Sequence, residues 1–287
     1  MTNDESIVGL GSWLQTPPGR CLLQWEQARL DQTVADAFGF HALQLGLPGL
    51  QGLRANRMPH RWVAASLDDD EDDQALALAA TLPTPEPGIS TQPPEDPLAL
   101  RCDFDALPFP SHSIDLVVMP HTLELSRDPH LTLREVERVL VGEGRVVITG
   151  FNPASLWALR QRLGQLRRGF GPGRARPAFL PRSGEFIGYW RLRDWLRLLG
   201  FEIEAGRFGV YRPPFASQAL LDRFGWLDRV GDRWWPVLGA AYSLVAVKRV
   251  RGMRLVGLVR REHRRAKATA AAVNREADPA LQRVDDH

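Results

Sequence analysis

Two cysteines, Cys21 and Cys102, are all that this chain of 287 residues contains. They give neither a disulfide framework nor the ligand spacing of a zinc site. Long hydrophobic runs are also missing. The longest, Trp234 to Val247, has 14 residues and is interrupted by Pro236, Gly239 and Ser243. A membrane-spanning helix needs roughly 18–20. The opening MTNDESIVGLGSW is acidic and has no basic flank before an apolar core, so no secretory signal is expected. A net charge of +2 is too small to draw the whole chain to nucleic acid. No internal repeat is present. These absences lead to the expectation of a reduced, cytoplasmic protein with one large domain and extensions.

The charge that is present is uneven. Asp68, Asp69, Asp70, Glu71, Asp72 and Asp73 form an acidic run. Pro83, Pro85, Pro87, Pro93, Pro94 and Pro97 follow closely, and together these stretches read as a loop or linker, an insertion over residues 66–97. Arginines gather from Arg160 to Arg182 and again from Lys248 to Lys267. Residues 1–40 read as a helical extension, with helical spacing from Leu22 to Phe38 and a stop at Gly39. The tail over 251–287 reads as basic and helical, with a disordered polar end.

Between these segments the pattern alternates. Short strands fit His41–Leu45, Arg61–Ala65 and Leu98–Cys102. Ile114–Met119 is a nearly continuous apolar run, as expected of a strand covered on both faces. An amphipathic helix fits Leu131–Leu140, closed by Gly142 and Gly144, and Arg145–Thr149 is the next buried strand. A helix over Leu192–Leu199 precedes strands at Phe201–Ala205 and Tyr242–Lys248, which could pair antiparallel at the sheet's edge. Strand and helix in alternation predict an α/β fold, a doubly wound and mostly parallel sheet with helices on both faces.

Asp103-Phe104-Asp105-Ala106-Leu107-Pro108-Phe109-Pro110, followed by Ser113-Ile114-Asp115-Leu116-Val117-Val118, resembles the D-x-x-x-L-P-F and S-F-D-x-V segments of class I S-adenosylmethionine-dependent methyltransferases, type-11 domain. His121-Thr122-Leu123-Glu124, Asp128-Pro129, Leu133-Arg134-Glu135, Arg138-Val139-Leu140 and Gly144 continue the resemblance. Leu196 to Phe201 matches a later helix-to-strand element, so the likeness covers roughly residues 40 to 250. FGFHALQLG and ITGFNPASLWALR resemble a little-characterised proteobacterial branch, which names no substrate. The resemblance implies a seven-stranded Rossmann-like sheet of order 3-2-1-4-5-7-6 with an antiparallel last strand, with residues 41–250 as the methyltransferase-like domain.

It also implies S-adenosylmethionine as cofactor, held at the carboxyl ends of the strands near the switch point. The family's acidic residue and G-x-G-x-G become Gln44-Leu45-Gly46-Leu47-Pro48-Gly49-Leu50 here. Gly46 matches the first glycine, while Pro48 and Leu50 stand where two others belong and Gly49 lies one place off. Pro48 fixes φ and has no N–H. Gln44 can hydrogen-bond the amino-acid end of the cofactor, without the charge that strengthens such a bond. The alternative is a turn with incidental glycines. Asp68 is a candidate stand-in for the ribose-binding acid, with a solvated acidic loop as the alternative. Asp103 matches the carboxylate facing the adenine amino group and Phe104 the flanking apolar residue; the competing reading has Asp103 and Asp105 capping a turn.

Methyl transfer from a sulfonium can rest on proximity and orientation. His121, just after strand 4, is the candidate catalytic base or orienter and a candidate cofactor contact, with local packing as the alternative. Asn152 and Pro153 either line the pocket or make a turn. Residues 155–190 read as a cap rich in arginine, ending at Tyr189 and Trp190. Cap and tail could engage an anionic partner such as RNA or a membrane surface; the alternatives are a solvated basic helix for the cap and a helix packed back on the core for the tail. The acceptor could be a small molecule, lipid, RNA or protein. The altered glycine loop equally allows a fold reused as a binding or regulatory module.

Overall fold

A computed structural model describes residues 9–67, 98–168, 179–181 and 186–250. The described residues open on a short helix, α1 (Leu10–Leu14), and a long one, α2 (Pro17–Val34). The start of α2 follows from Thr-Pro-Pro: Pro17 occupies the first turn, where its missing N–H is no loss, and the Thr16 hydroxyl accepts from the Gly19 N–H. The helix thus begins five residues before Leu22 and ends at Val34, short of Phe38.

Strands β1 (His41–Leu45), β2 (His60–Ala65), β3 (Leu98–Arg101) and β4 (Ile114–Pro120) come next. A single turn, α3 (Thr122–Leu125), precedes α4 (Pro129–Val139) and β5 (Leu140–Phe151). Then follow α5 (Leu156–Arg168), α6 (Tyr189–Leu198), β6 (Phe201–Gly209), α7 (Gln218–Arg223), α8 (Trp226–Trp234), a 3₁₀ turn (Pro236–Leu238) and β7 (Ala241–Lys248). Other boundaries also differ from expectation: α6 begins at Tyr189 rather than Leu192, β6 runs on to Gly209 rather than Ala205, and both ends of α4 change. The Asp128 carboxylate accepts from His130 and Leu131 N–H groups, so α4 starts at Pro129. Gly142 and Gly144 do not close that helix but lie in β5, near a register shift opposite Ile114–Leu116.

The seven strands run in the order β3-β2-β1-β4-β5-β7-β6. The pairs from β3 to β5 are parallel, and β7 is antiparallel to both β5 and β6. Order and orientation agree with the expected α/β, doubly wound sheet. Alternating residues of the strands feed two cores, as a period of two requires. Ala42, Leu116, Val118 and Val147 pack with Leu22, Leu30 and Val34 of α2. Leu43, Leu45, Val117, Met119, Val146 and Ile148 pack with Leu133 and Val136 of α4 and Leu192 and Leu196 of α6. The amino-terminal helices therefore bury part of the sheet, and residues up to Val250 form one compact unit. The tail beyond it, Asp68 and the rest of the acidic and proline-rich stretch, and the cap's Arg174, Arg176 and Arg182 lie outside the described residues.

Candidate functional site

The direction of the chain across the sheet reverses between β1 and β4, the switch point at whose carboxyl ends open α/β sheets bind ligands. At the end of β1 the backbone turns at Gly46, with φ of 75°, and Leu47, with φ of 42°. The Gly46 N–H donates to the Ala64 carbonyl at 2.7 Å. A Cβ on Gly46 would come within 3.3 Å of Thr122 Oγ1 and 3.9 Å of the Phe104 ring. The ends of β1, β3 and β4 thus converge on this glycine. Thr122 seals the junction by donating to the Leu45 carbonyl at 2.5 Å.

Beyond Gly46 the crossover to β2 contains only turns, with no helix before His60. Gln44 organises it. The Gln44 side-chain amide donates to the carbonyls of Leu50 (2.7 Å), Leu47 (2.9 Å) and Gly46 (3.2 Å), and Gln44 Oε1 accepts from the Gly52 N–H at 2.9 Å. The side chain is fully buried. Gln44, expected to hold the amino-acid end of a cofactor, is instead spent on its own loop, because residue 44 faces the α2 layer. Gly49 is buried within that loop. The loop is tied to α2 by Gln27 Nε2 donating to the Gln51 carbonyl (2.9 Å), by Asn56 Nδ2 donating to the Val34 carbonyl (2.8 Å) and by the Arg54–Asp31 ion pair (2.6 Å).

His121 follows β4 in the left-handed region, with φ of 53°. Its ring is fully buried against Phe151, with ring centroids 4.5 Å apart. Nδ1 lies 2.6 Å from Glu124 Oε2, and Nε2 lies 2.8 Å from Glu26 Oε1 on α2. Glu124 Oε1 also accepts from the Phe151 N–H at 2.7 Å. Burial alone would push the imidazole pKa down, but the adjacent carboxylates of Glu26 and Glu124 outweigh it and hold it up to about 10. The ring is therefore an imidazolium between two carboxyl groups. Burial raises the pKa of Glu124, against the opposing pull of His121. Glu26 Oε2 is buried and has no hydrogen-bond partner among the described residues. With both ring nitrogens engaged, His121 does not present a free base at the switch point; it joins α2, α3 and β5.

At the end of β3, Asp103 is exposed and Phe104 is buried. Asp103 Oδ1 accepts from the Asp105 N–H at 3.1 Å, the turn-capping arrangement, and the other carboxylate oxygen is not used by it. The Leu-Pro-Phe segment is clamped to α4: Arg138 donates to the carbonyls of Leu107 and Phe109, each at 3.0 Å, and pairs with Glu135. The hydrogen bond from Arg138 holds the Glu135 carboxyl below its usual range. After β5, Asn152 makes the turn rather than a pocket wall. Its amide donates to the carbonyls of Val237 (2.7 Å) and Gly239 (2.8 Å), and its Oδ1 accepts from the Ala154 N–H. Pro153 beside it is half-buried. Among the described residues no cluster could hold a metal ion, and no helix is long and apolar enough to cross a membrane.

Of the residues singled out from the sequence, the structure sets Gly46 beside Phe104 and beside Thr122, the chain neighbour of His121. Sequence reasoning missed Glu26, whose only signal was an acidic residue on the apolar side of α2.

Residues 72–148 match the methyltransferase domain family. Over 207 residues the chain is 29% identical to the uncharacterised protein YafS of Escherichia coli (strain K12), covering 72% of this chain and 71% of that protein. A stretch of 64 residues is 38% identical to the malonyl-[acyl-carrier protein] O-methyltransferase of Halorhodospira halophila, 22% of each chain. Among solved structures, a chain from the Haloferax volcanii complex of the Trm112 methyltransferase activator superposes with a TM-score of 0.51 at 16% identity, over 84% of this chain and 96% of that one. The sheet is that of the class I methyltransferases, and the matched segment runs through β3, β4, α4 and most of β5.

Proposed function

From a segment that belongs to the methyltransferase domain family, in a sheet of class I order, we propose that this protein binds S-adenosylmethionine at the carboxyl ends of β1, β3 and β4 and transfers its methyl group to an acceptor. The observation that carries this reading is the convergence of Gly46, Phe104 and Thr122 at the switch point. Gly46 has the positive φ and bare Cα that let a backbone approach a ligand closely. Asp103 keeps an exposed carboxylate beside Phe104 for an adenine amino group.

The amino-acid end is answered from a different element than expected. The unpartnered Glu26 Oε2 suits an ammonium. Gly46, Asp103, Phe104 and Glu26 would therefore hold the group, while Gln44 and Gly49 shape the loop beneath it. When bound, the group supplies a methyl already activated by a positively charged sulfur. The chain's own contribution is orientation, and His121 serves it as a positioning residue. The acceptor is open to small molecule, lipid, RNA or protein.

Titration calorimetry of S-adenosylhomocysteine into the full-length protein tests the reading. One-to-one micromolar binding, weakened by Asp103→Ala and by Glu26→Gln, is expected. Absence of binding at millimolar concentration overturns it. A second reading, a methyltransferase fold reused as a binding module, is favoured by the Gln44 network and by the missing helix after β1. Under that reading Asp103→Ala is silent in every binding assay.

A further inference from the structure

Helix α8 carries Trp226, Val230 and Trp234 at intervals of four residues, which places them on one stripe. That stripe does not face the core. Trp226 and Trp234 are 57% and 69% exposed, while Gly231 turns inward, so close to the Tyr211 ring that a Cβ there would collide with it. The apolar surface continues into the 3₁₀ turn through Trp235, Val237 and Leu238, all exposed, and is extended by Leu220 of α7.

The charges beside it are asymmetric. Arg229 and Arg233 flank the stripe and Arg223 ends α7; all three are exposed, and none forms an ion pair among the described residues. Of the acidic residues in this region, Asp228 binds Arg212 at 2.8 Å and accepts from the Tyr211 N–H, and Asp222 faces Arg212 and Gln218. Asp232 is left as the exposed opposing charge. Indoles concentrate at the boundary between hydrocarbon and water. A helix with an aromatic stripe and arginines at its edge lies in that boundary plane, drawn by anionic headgroups.

We infer that α7, α8 and the following 3₁₀ turn form a docking surface for a bilayer containing anionic phospholipid. This surface does not depend on cofactor binding. It is tied to the sheet by Asn152 at the end of β5, which donates to the carbonyls of Val237 in the turn and Gly239 just after it.

Flotation of the full-length protein with phosphatidylcholine vesicles, with and without phosphatidylglycerol, is the test. Binding is expected only with phosphatidylglycerol and falls as salt is raised. Arg229→Glu with Arg233→Glu, and separately Trp226→Ser with Trp234→Ser, should each reduce partitioning about tenfold or more. All four side chains are exposed, and urea unfolding of each variant checks that the fold is kept. No binding to phosphatidylglycerol vesicles overturns the inference. Binding that survives both double substitutions also overturns it and assigns the contact to another segment, such as the basic tail.

Discussion

Replacing His121 by Asn isolates the buried charge cluster. Asn tolerates the left-handed backbone, so the φ of 53° adds little strain. What is lost is the imidazolium. Glu26 and Glu124 then lie buried without their shared partner, and breaking such a pair destabilises by about 3–5 kcal/mol. A second route to the magnitude agrees. An imidazole raised from 6.5 to about 10 corresponds to an upper bound of about 5 kcal/mol. The sign follows from proton binding. The folded pKa exceeds the unfolded one, so the contribution is fully present below about pH 6.5 and is lost as pH rises through about 10. Urea unfolding at pH 7 should show a loss of about 3–5 kcal/mol for His121→Asn, and the wild-type protein should weaken steadily from pH 7 to pH 9. A loss below about 1 kcal/mol, the range of an exposed pair, or a wild-type curve flat over that interval, would refute the charged cluster.

Three further outcomes follow from the same packing. Gln44→Glu removes two donors facing three carbonyls and should destabilise by about 2–4 kcal/mol by urea titration, despite matching the acid that resemblance expects there. Asp103→Ala should change stability by less than about 1 kcal/mol, since its carboxylate is exposed, yet raise the Kd for S-adenosylhomocysteine about tenfold by calorimetry. Gly209→Ala would set a Cβ inside the Trp25 indole and should lower stability by about 1–3 kcal/mol, seen as an earlier urea midpoint.

The sheet was legible because parallel strands buried on both faces read as apolar runs. Ile114–Met119 and His41–Leu45 stood out for that reason, and the turns that bound them are marked by glycine or proline. Ends set by capping were harder to place. Thr16 and Asp128 each carried a capping signal beside a proline, and those signals, rather than apolar spacing, fix where α2 and α4 begin. Gly142 and Gly144 were misleading, because glycine serves an irregular strand as readily as a helix stop.

The site was legible only in part, and the reason lies in which face each side chain takes. Sequence position identifies residue 44 as the last but one of β1, where resemblance calls for an acid. It does not reveal that Gln44 shares a face with Ala42, under α2, where an amide can close a loop and a carboxylate would confront three carbonyls. Glu26 lies 95 residues from His121 along the chain, and nothing local marks it. A glutamate on the apolar side of α2 is tolerated there because an imidazolium waits at the end of β4. The departures from the family pattern are then coupled. With Gln44 neutral and turned to the loop, the proposed reading takes its acidic group from Glu26 of α2, through the cluster at His121. On that proposed reading α2 is part of the site, and a change at Glu26 should be felt in ligand binding as well as in stability.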